Sequence, residues 1–518
     1  MLSRASSIVV ASISLIALHL APAARADVSV RGDSGLNSKV NGKRDGSCKA
    51  GVCRISGGRR GGRQKNILFH RLSELDTRGD RIKKIKLNVG ARNTKSVIVG
   101  VTNRKGSYLT SPFVLSGKAD LILLSPGGVQ VNGATFKNIN HLSLAATSHF
   151  KMGDGVFDVF NTSSDQLSSL SLPGQTSLSE RADHLLIDSS SAALDHDHDH
   201  SVQGSIKISD QLSVDGDLLV VAKQPIKLKR AQLDVTGDLH LDSRLPDAVD
   251  IAAKGDVPEK KKRQNMILLS NVDANIAGDI IVSSESGVSD RSYGGLRIRR
   301  SDLTIDDQFT ASTQASSQSR FNDSHGIWLS NSDVDAGSID LIGRGGNSSR
   351  RRGNQGIYVR DSELYSDQDL TLKGFGGDGR ISVDGVVLRD SSLQSERGRL
   401  MIEGQGGNNA EFLMDGIQLF GDVSLSAASD VSLHGKAGNS FFPNQGAGIY
   451  IDGNDGKKDG ASIDAGRVEM VGIGAKRDPE SAWPKKVNED ESVTHTIGVD
   501  VENLDVHTTG NVKIKGKG

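Results

Sequence analysis

Apolar and polar residues alternate along most of this chain in short runs separated by Gly, Asn, Asp and Ser. A period of two is the signature of a half-buried strand, and no window sustains the 3.6-residue period of a helix. Residues 119–146 show the pattern at its clearest. Leu121-Ile122-Leu123-Leu124 is an apolar run, Ser125-Pro126-Gly127-Gly128 interrupts it, and Val129-Gln130-Val131-Asn132 alternates again. Pro126 pre-sets φ for the first corner of a tight turn, and Gly127 is expected to take the positive φ of the second. The local reading is strand, turn, strand, which suits either an antiparallel hairpin or a corner between two sheets.

The second half decides between them, because it repeats. A Gly-apolar-x-apolar landmark recurs at Gly295, Gly326, Gly356, Gly385, Gly416, Gly448 and Gly498, in steps of 31, 30, 29, 31, 32 and 50 residues. The long step holds an insertion around residues 481–491. Each unit carries three short alternating segments and a Gly-rich turn such as Gly345-Gly346-Asn347, Gly376-Gly377-Asp378 or Gly406-Gly407-Asn408. One serine recurs per unit at Ser301, Ser332, Ser362 and Ser391, and an earlier Gly-Asp pair recurs at Gly216-Asp217 and Gly237-Asp238. One unit cannot bury its own apolar positions, whereas stacked units can. Three strands per repeat predict an all-β fold, a right-handed parallel β-helix with three strands per rung and the serines as a stacked ladder. The steps are too short for propeller blades, which take about 40–50 residues.

Composition adds limits. Gly numbers 60 of 518, filling places that larger side chains usually hold. Lys+Arg and Asp+Glu both number 63, so the formal net charge is zero and nucleic-acid binding has no support. Residues 1–26 read as a secretory signal: Arg4 is the positive head, residues 8–20 are apolar, and Ala24-Arg25-Ala26 is a small-x-small cleavage site. The apolar run is shorter than the ~20 residues of a spanning helix, so the mature chain is expected to be exported with no transmembrane segment. Cys48 and Cys53, the two cysteines, suit a small-loop disulfide in an oxidising compartment.

At residues 46–160 the chain resembles the N-terminal secretion domain of two-partner-secretion exoproteins, the filamentous-haemagglutinin-like family. The early Asn-aromatic-His block of that family matches Asn66, Phe69 and His70, within Asn66-Ile67-Leu68-Phe69-His70. Its later turn matches Ser125, Pro126, Gly127 and Gly128, with serine and glycine where the family has asparagines. A Gly-Ala element follows at Gly133-Ala134, then a strand ending Ala146-Thr147. The Cys-containing segment before these blocks resembles the cyanobacterial branch. The resemblance implies a secretion domain over 27–160 of the same β-helical architecture, an outer-membrane transporter as partner, and a secreted or cell-surface adhesin-like role. A Ser-rich and Asp/His-containing linker or excursion is expected over 161–202, and further β-helix repeats over 203–518.

His196, His198 and His200 alternate with Asp residues and would share one face of an extended strand, where they could bind Zn²⁺ or Cu²⁺; no metal or other cofactor is expected. Arg-Gly-Asp occurs at 31–33 and 78–80, the second in a turn. Asp384 and Asp415 share one repeat position, where neighbouring units have His325, Gln355 and Ala447. Stacked, the two carboxylates could serve a polysaccharide lyase or hydrolase, the alternative to an adhesin with a cell-surface or polysaccharide ligand. The repeat breaks off at Gly518, which suits either a covering partner or a longer exoprotein.

Overall fold

The computed structural model describes residues 28–518 apart from 63, 91–92, 154, 172–176, 187–203, 246–262, 287–291, 317–323, 409–413, 440–445, 454–459 and 476–496. The described chain is mostly β, with one α-helix, and 36 of its strands belong to one large sheet. Three parallel ladders wind this sheet into a solenoid. The first joins Ser292–Arg299, Ile327–Ser330, Ile357–Arg360, Val386–Arg389, Ile417–Phe420, Ile449–Asp452 and Val499–Glu502. The second takes the leading halves of Asp302–Gln314 and Asp333–Arg344, then Glu363–Ser366 and Ser392–Ser395. The third takes the trailing halves of those long strands, then Leu370–Phe375 and Leu400–Gln405. Register follows the repeat: Leu296, Ile327, Ile357, Val386, Ile417, Ile449 and Val499 stand in line. The earlier Gly-Asp repeat continues to Gly278-Asp279, one rung and 41 residues past Asp238, because residues 246–262 are inserted between.

Alternation places one row of each strand inside. Leu296, Ile298, Leu303, Ile305, Phe309 and Ala311 are all buried in a single core that runs from Val30 to Met470. Between the first and second ladders the chain turns on one left-handed residue per rung: Arg300 (φ 47), Asn331 (φ 50), Asp361 (φ 47) and Asp390 (φ 45). Asn and Asp tolerate this region better than other side chains. The next residue is the repeating serine. The Ser301 N–H donates to Ser332 Oγ (3.2 Å), the Ser332 N–H to Ser362 Oγ (3.2 Å) and the Ser362 N–H to Ser391 Oγ (3.3 Å). Each hydroxyl in turn donates to the carbonyl two residues before it, as Ser332 does to Ser330 (3.0 Å). The expected serine ladder is thus a corner device that satisfies buried backbone groups. Ser332→Ala leaves the buried Ser301 N–H without an acceptor and is expected to cost about 1–3 kcal/mol, read as a lower midpoint in chemical denaturation.

The N-terminal end is built differently. Val30–Gly32 pairs antiparallel with Ser47–Cys48 and Ile67–Leu75, Ser38–Val40 with Gly51–Gly57, and Arg59–Gly61 with Ile67–Leu75. These strands close the first rung, after which the main sheet's pairings are parallel. The Cys48–Cys53 disulfide is present within this cap. The solenoid then runs without a break across the expected 161–202 boundary, since Phe136–Ala146 pairs directly with Asp217–Ala222. The intervening chain is an excursion, and its described part is packed rather than a linker. It contains the hairpin His149–Met152 with Gly155–Asp158 and the helix Leu178–Leu185, which starts on a Ser177/Glu180 capping box.

Candidate functional site

The two sequence blocks of the export resemblance come together on one ladder. Ile67–Leu75 pairs with Ser96–Val101, which pairs with Phe113–Leu124, so Asn66-Phe69-His70 and the Ser125 turn lie two rungs apart. Alternation sends Phe69 and His70 to opposite faces. Phe69 points out of the solenoid and is fully covered by the excursion, with its ring 5.1 Å from that of Phe157. His70 points in, at a position that becomes Val99, Leu123 and Leu144 on the following rungs. Its Nδ1 lies 3.2 Å from Ser38 Oγ in the cap, and burial pushes its pKa down to about 4, so the ring is neutral. Asn66 is half-buried, and its carbonyl accepts the Lys95 N–H (2.9 Å).

The turn is a corner and not a hairpin, because its flanking strands join different ladders. Phe113–Leu124 pairs with Phe136–Ala146, whereas Val129–Asn132 pairs with Ser107–Leu109 and Ile206–Val214. The Gly128 N–H donates to the Ser125 carbonyl (2.8 Å), and Ser125 Oγ donates to the Gly128 carbonyl (2.9 Å) while accepting from Ser107 Oγ (2.9 Å). The positive φ falls at Gly128 (φ 101) and not at Gly127, which corrects the turn expected from the sequence. Gly127 is needed for a different reason: a Cβ there would stand 2.3 Å from the Gly106 nitrogen of the preceding corner. The Gly204 N–H of the next rung donates to the Pro126 carbonyl (2.7 Å). Ser125, Pro126 and Gly128 are buried in this stack, and Gly133 (φ 70) is exposed one strand further on. In the folded chain these blocks therefore present backbone shape more than side chains.

Sequence reasoning missed the cover over this region. Ile122, Leu124, Leu219 and Val221 face outward, and Phe150, Met152, Phe157, Leu167, Leu170, Ala182 and Leu185 bury them in a second apolar cluster. The available signal was the unbroken apolar runs at 121–124 and 218–221, since a strand apolar on both faces requires a layer on each. Arg244 ties the helix down, with Nη1 on Asp183 and Nη2 on Asp242, both at 2.6 Å. Asp242 and His240 are fully buried beneath it. Burial pushes the Asp242 carboxyl up to about 6 and the His240 imidazole down to about 4.

Asp384 and Asp415 do stand on adjacent rungs. Asp384 Oδ1 accepts the Asp415 N–H (2.9 Å), and Asp415 Oδ1 accepts the Ala447 N–H (2.7 Å). Gln355 Nε2 reaches Asp384 Oδ2 at 3.5 Å, and all three side chains are buried. Burial and the neighbouring Asp415 hold the Asp384 carboxyl well above the ordinary range, and burial with the nearby Asp500 pushes Asp415 up to about 7. The pair forms part of a stacked, buried polar column. A similar column explains the Gly-Gly-Asn/Asp turns. The Asp378 N–H donates to Asn347 Oδ1, the Asn408 N–H to Asp378 Oδ1 and the Asn439 N–H to Asn408 Oδ1.

Arg78 of the second Arg-Gly-Asp is held by Asp76 and lies 3.8 Å over the Tyr108 ring, and Asp33 of the first accepts the Gly35 N–H (2.8 Å). His196, His198 and His200 lie outside the described residues, as does the signal segment 1–26. Among the described residues no group of three or more His, Cys, Asp or Glu is placed to hold a metal ion, and no helix is long and apolar enough to cross a membrane. No protein-family model, curated protein or solved structure matches the chain.

Proposed function

We propose that the chain is an exported, rod-shaped scaffold of the two-partner-secretion type, a right-handed parallel β-helix with three strands per rung that serves in adhesion at the cell surface. The observation that carries this reading is the N-terminal build: an antiparallel cap over residues 30–75 closes one end of an otherwise parallel stack. A capped first rung gives a template on which each later rung can fold in turn, as vectorial folding outside an outer-membrane transporter requires. The right hand is the one that nearly all parallel crossovers take. Asn66, Phe69, His70 and the Ser125-Pro126-Gly127-Gly128 corner act in export by shaping those first rungs, and the long repeat surface supplies the adhesive faces.

Export tests the reading. Cells carrying the chain and a cognate outer-membrane transporter are expected to release it or display it on their surface, and to retain it in the periplasm when residues 66–147 are deleted. Unchanged release of the deleted chain sinks the assignment. Gly127→Val, which drives a side chain into the preceding corner, is expected to reduce release several-fold without removing the block as a whole.

A further inference from the structure

The zero net charge conceals two stripes of opposite sign. On the second ladder the outward position is held on four successive rungs by Asp273, Asp302, Asp333 and Glu363, all exposed and in register. At the usual strand spacing these carboxylates span about 14 Å. Exposed Asp234 and Asp335 extend the stripe on the next outward column. Round the left-handed corner, the first ladder carries Lys207, Lys227, Lys229 and Arg230, and then Arg297, Arg299 and Arg300 after one intervening rung. Lys207 and Lys227 are directly paired, and Arg299 lies in line with Lys229 through Ser270. Stacking like charges at ~5 Å destabilises a sheet. The strain is visible in Lys227, whose ammonium is pushed below its usual range by burial and by Lys229 and Lys207. Among the described residues none of Lys207, Lys227, Lys229, Arg230, Arg300, Asp273, Asp302, Asp333 or Glu363 has an ion-pair partner.

We propose that the two stripes are a docking surface for a second copy of this chain, with the basic stripe of one rod lying along the acidic stripe of the next. The stripes have the same repeat, because the same rung spacing sets both, so opposite charges face each other on every rung of the contact except the one that the basic stripe skips. They are offset along the axis: the basic stripe begins on the rung of Lys207, and the acidic stripe ends on that of Glu363. Full overlap shifts the partner by about two rungs, ~10 Å. That makes a heterologous contact, which leaves a free stripe of each sign and allows growth beyond a dimer. Lateral association of rods in this way stands independently of the export reading, since it requires only the folded repeat.

Sedimentation equilibrium of the purified chain with EDTA present reads the proposal directly. At about 20 mM salt the weight-average mass is expected to be at least twice that of the monomer and to rise with concentration, and at about 500 mM to fall to the monomer, as screening shortens the reach of the charges. A chain carrying Asp273→Lys, Asp302→Lys and Asp333→Lys, and one carrying Lys207→Glu, Lys227→Glu and Lys229→Glu, are each expected to stay monomeric at both salts. An equimolar mixture of the two is expected to associate again at low salt, which misfolded variants would not do. A wild-type chain that is monomeric at low salt overturns the proposal, as does either variant associating like wild type or a mixture that stays monomeric. Association seen only in a parallel run without EDTA also overturns it, in favour of cation bridging by the acidic stripe alone.

Discussion

A chain carrying Gly404→Ala is expected to lose about 3 kcal/mol or more of stability, at the upper end of what overpacking costs. Two glycine columns face each other where the third ladder passes the first. One is the landmark column Gly326, Gly356, Gly385, Gly416 and Gly448. The other is Gly343, Gly374, Gly404, Gly435 and Gly472. A Cβ on Gly404 would stand 1.9 Å from the Gly416 carbonyl oxygen, and one on Gly416 would stand 2.2 Å from the Lys436 nitrogen. Both obstacles are backbone held by ladder hydrogen bonds on either side, so neither can swing away as a side-chain tip would. Gly516 provides the control. Its nearest obstacle is the Val499 nitrogen at 3.4 Å, an ordinary contact, and Gly516→Ala is expected to change the denaturation midpoint little. Equal midpoints for the Gly404 and Gly516 variants would show that the seam is looser than drawn.

The seam also shows how far the sequence could be read. The first column was legible as a repeat landmark, because each glycine precedes an apolar-x-apolar strand. The second sits at the trailing end of a strand and looks there like an ordinary strand terminus; its meaning depends on a partner about 12 residues away round a corner. Earlier rungs hide it further, since the same column holds Ser243, Ser284 and Thr313 before it narrows to glycine at Gly343. Thr313 fits because its hydroxyl donates to the Gly326 carbonyl (2.7 Å). The serine ladder, the Asp384/Asp415 alignment and the three-ladder winding were legible because a stacked fold makes sequence period and spatial period the same. The cap and the excursion's cover were not, because each occurs once. Their residues follow no period, and Ser38 meeting His70 or Leu167 meeting Phe69 are contacts fixed only by the folded chain. The hydrogen-bond acceptor role of Asp384 belongs to the same class: the repeat places the carboxylate, but burial decides what it is for.

That burial is expected to make stability fall as pH rises through neutrality. Asp415 is raised from 3.8 to about 7, so the folded chain keeps a proton that the unfolded chain loses near pH 4. Asp415 therefore lowers stability progressively as pH rises from about 4 toward 7. Asp384 acts in the same direction, with burial and the facing Asp415 as the causes, and Asp242 does so up to about pH 6. The buried histidines oppose them: His70 and His240 are lowered to about 4 and His325 to about 3, so their contribution is intact above pH 6.5 and is lost as pH falls through those values. Between about pH 4 and 6.5 the two sets offset each other, and the net fall comes above pH 6.5, where the histidines are neutral in both states and the buried carboxyls still hold protons. Asp384→Asn separates them. Its Oδ1 keeps the Asp415 N–H, and its Nδ2 can donate to Gln355 Oε1, a buried atom without a hydrogen-bond partner in the wild-type chain, once that amide turns over. Urea denaturation midpoints are expected to rise in this variant at pH 8, to match wild type within about 0.5 kcal/mol at pH 4, and to vary less steeply between the two. Wild-type and variant curves that run parallel from pH 4 to pH 8 would mean that Asp384 is ionised at little cost, and that the column is wetter than its burial implies.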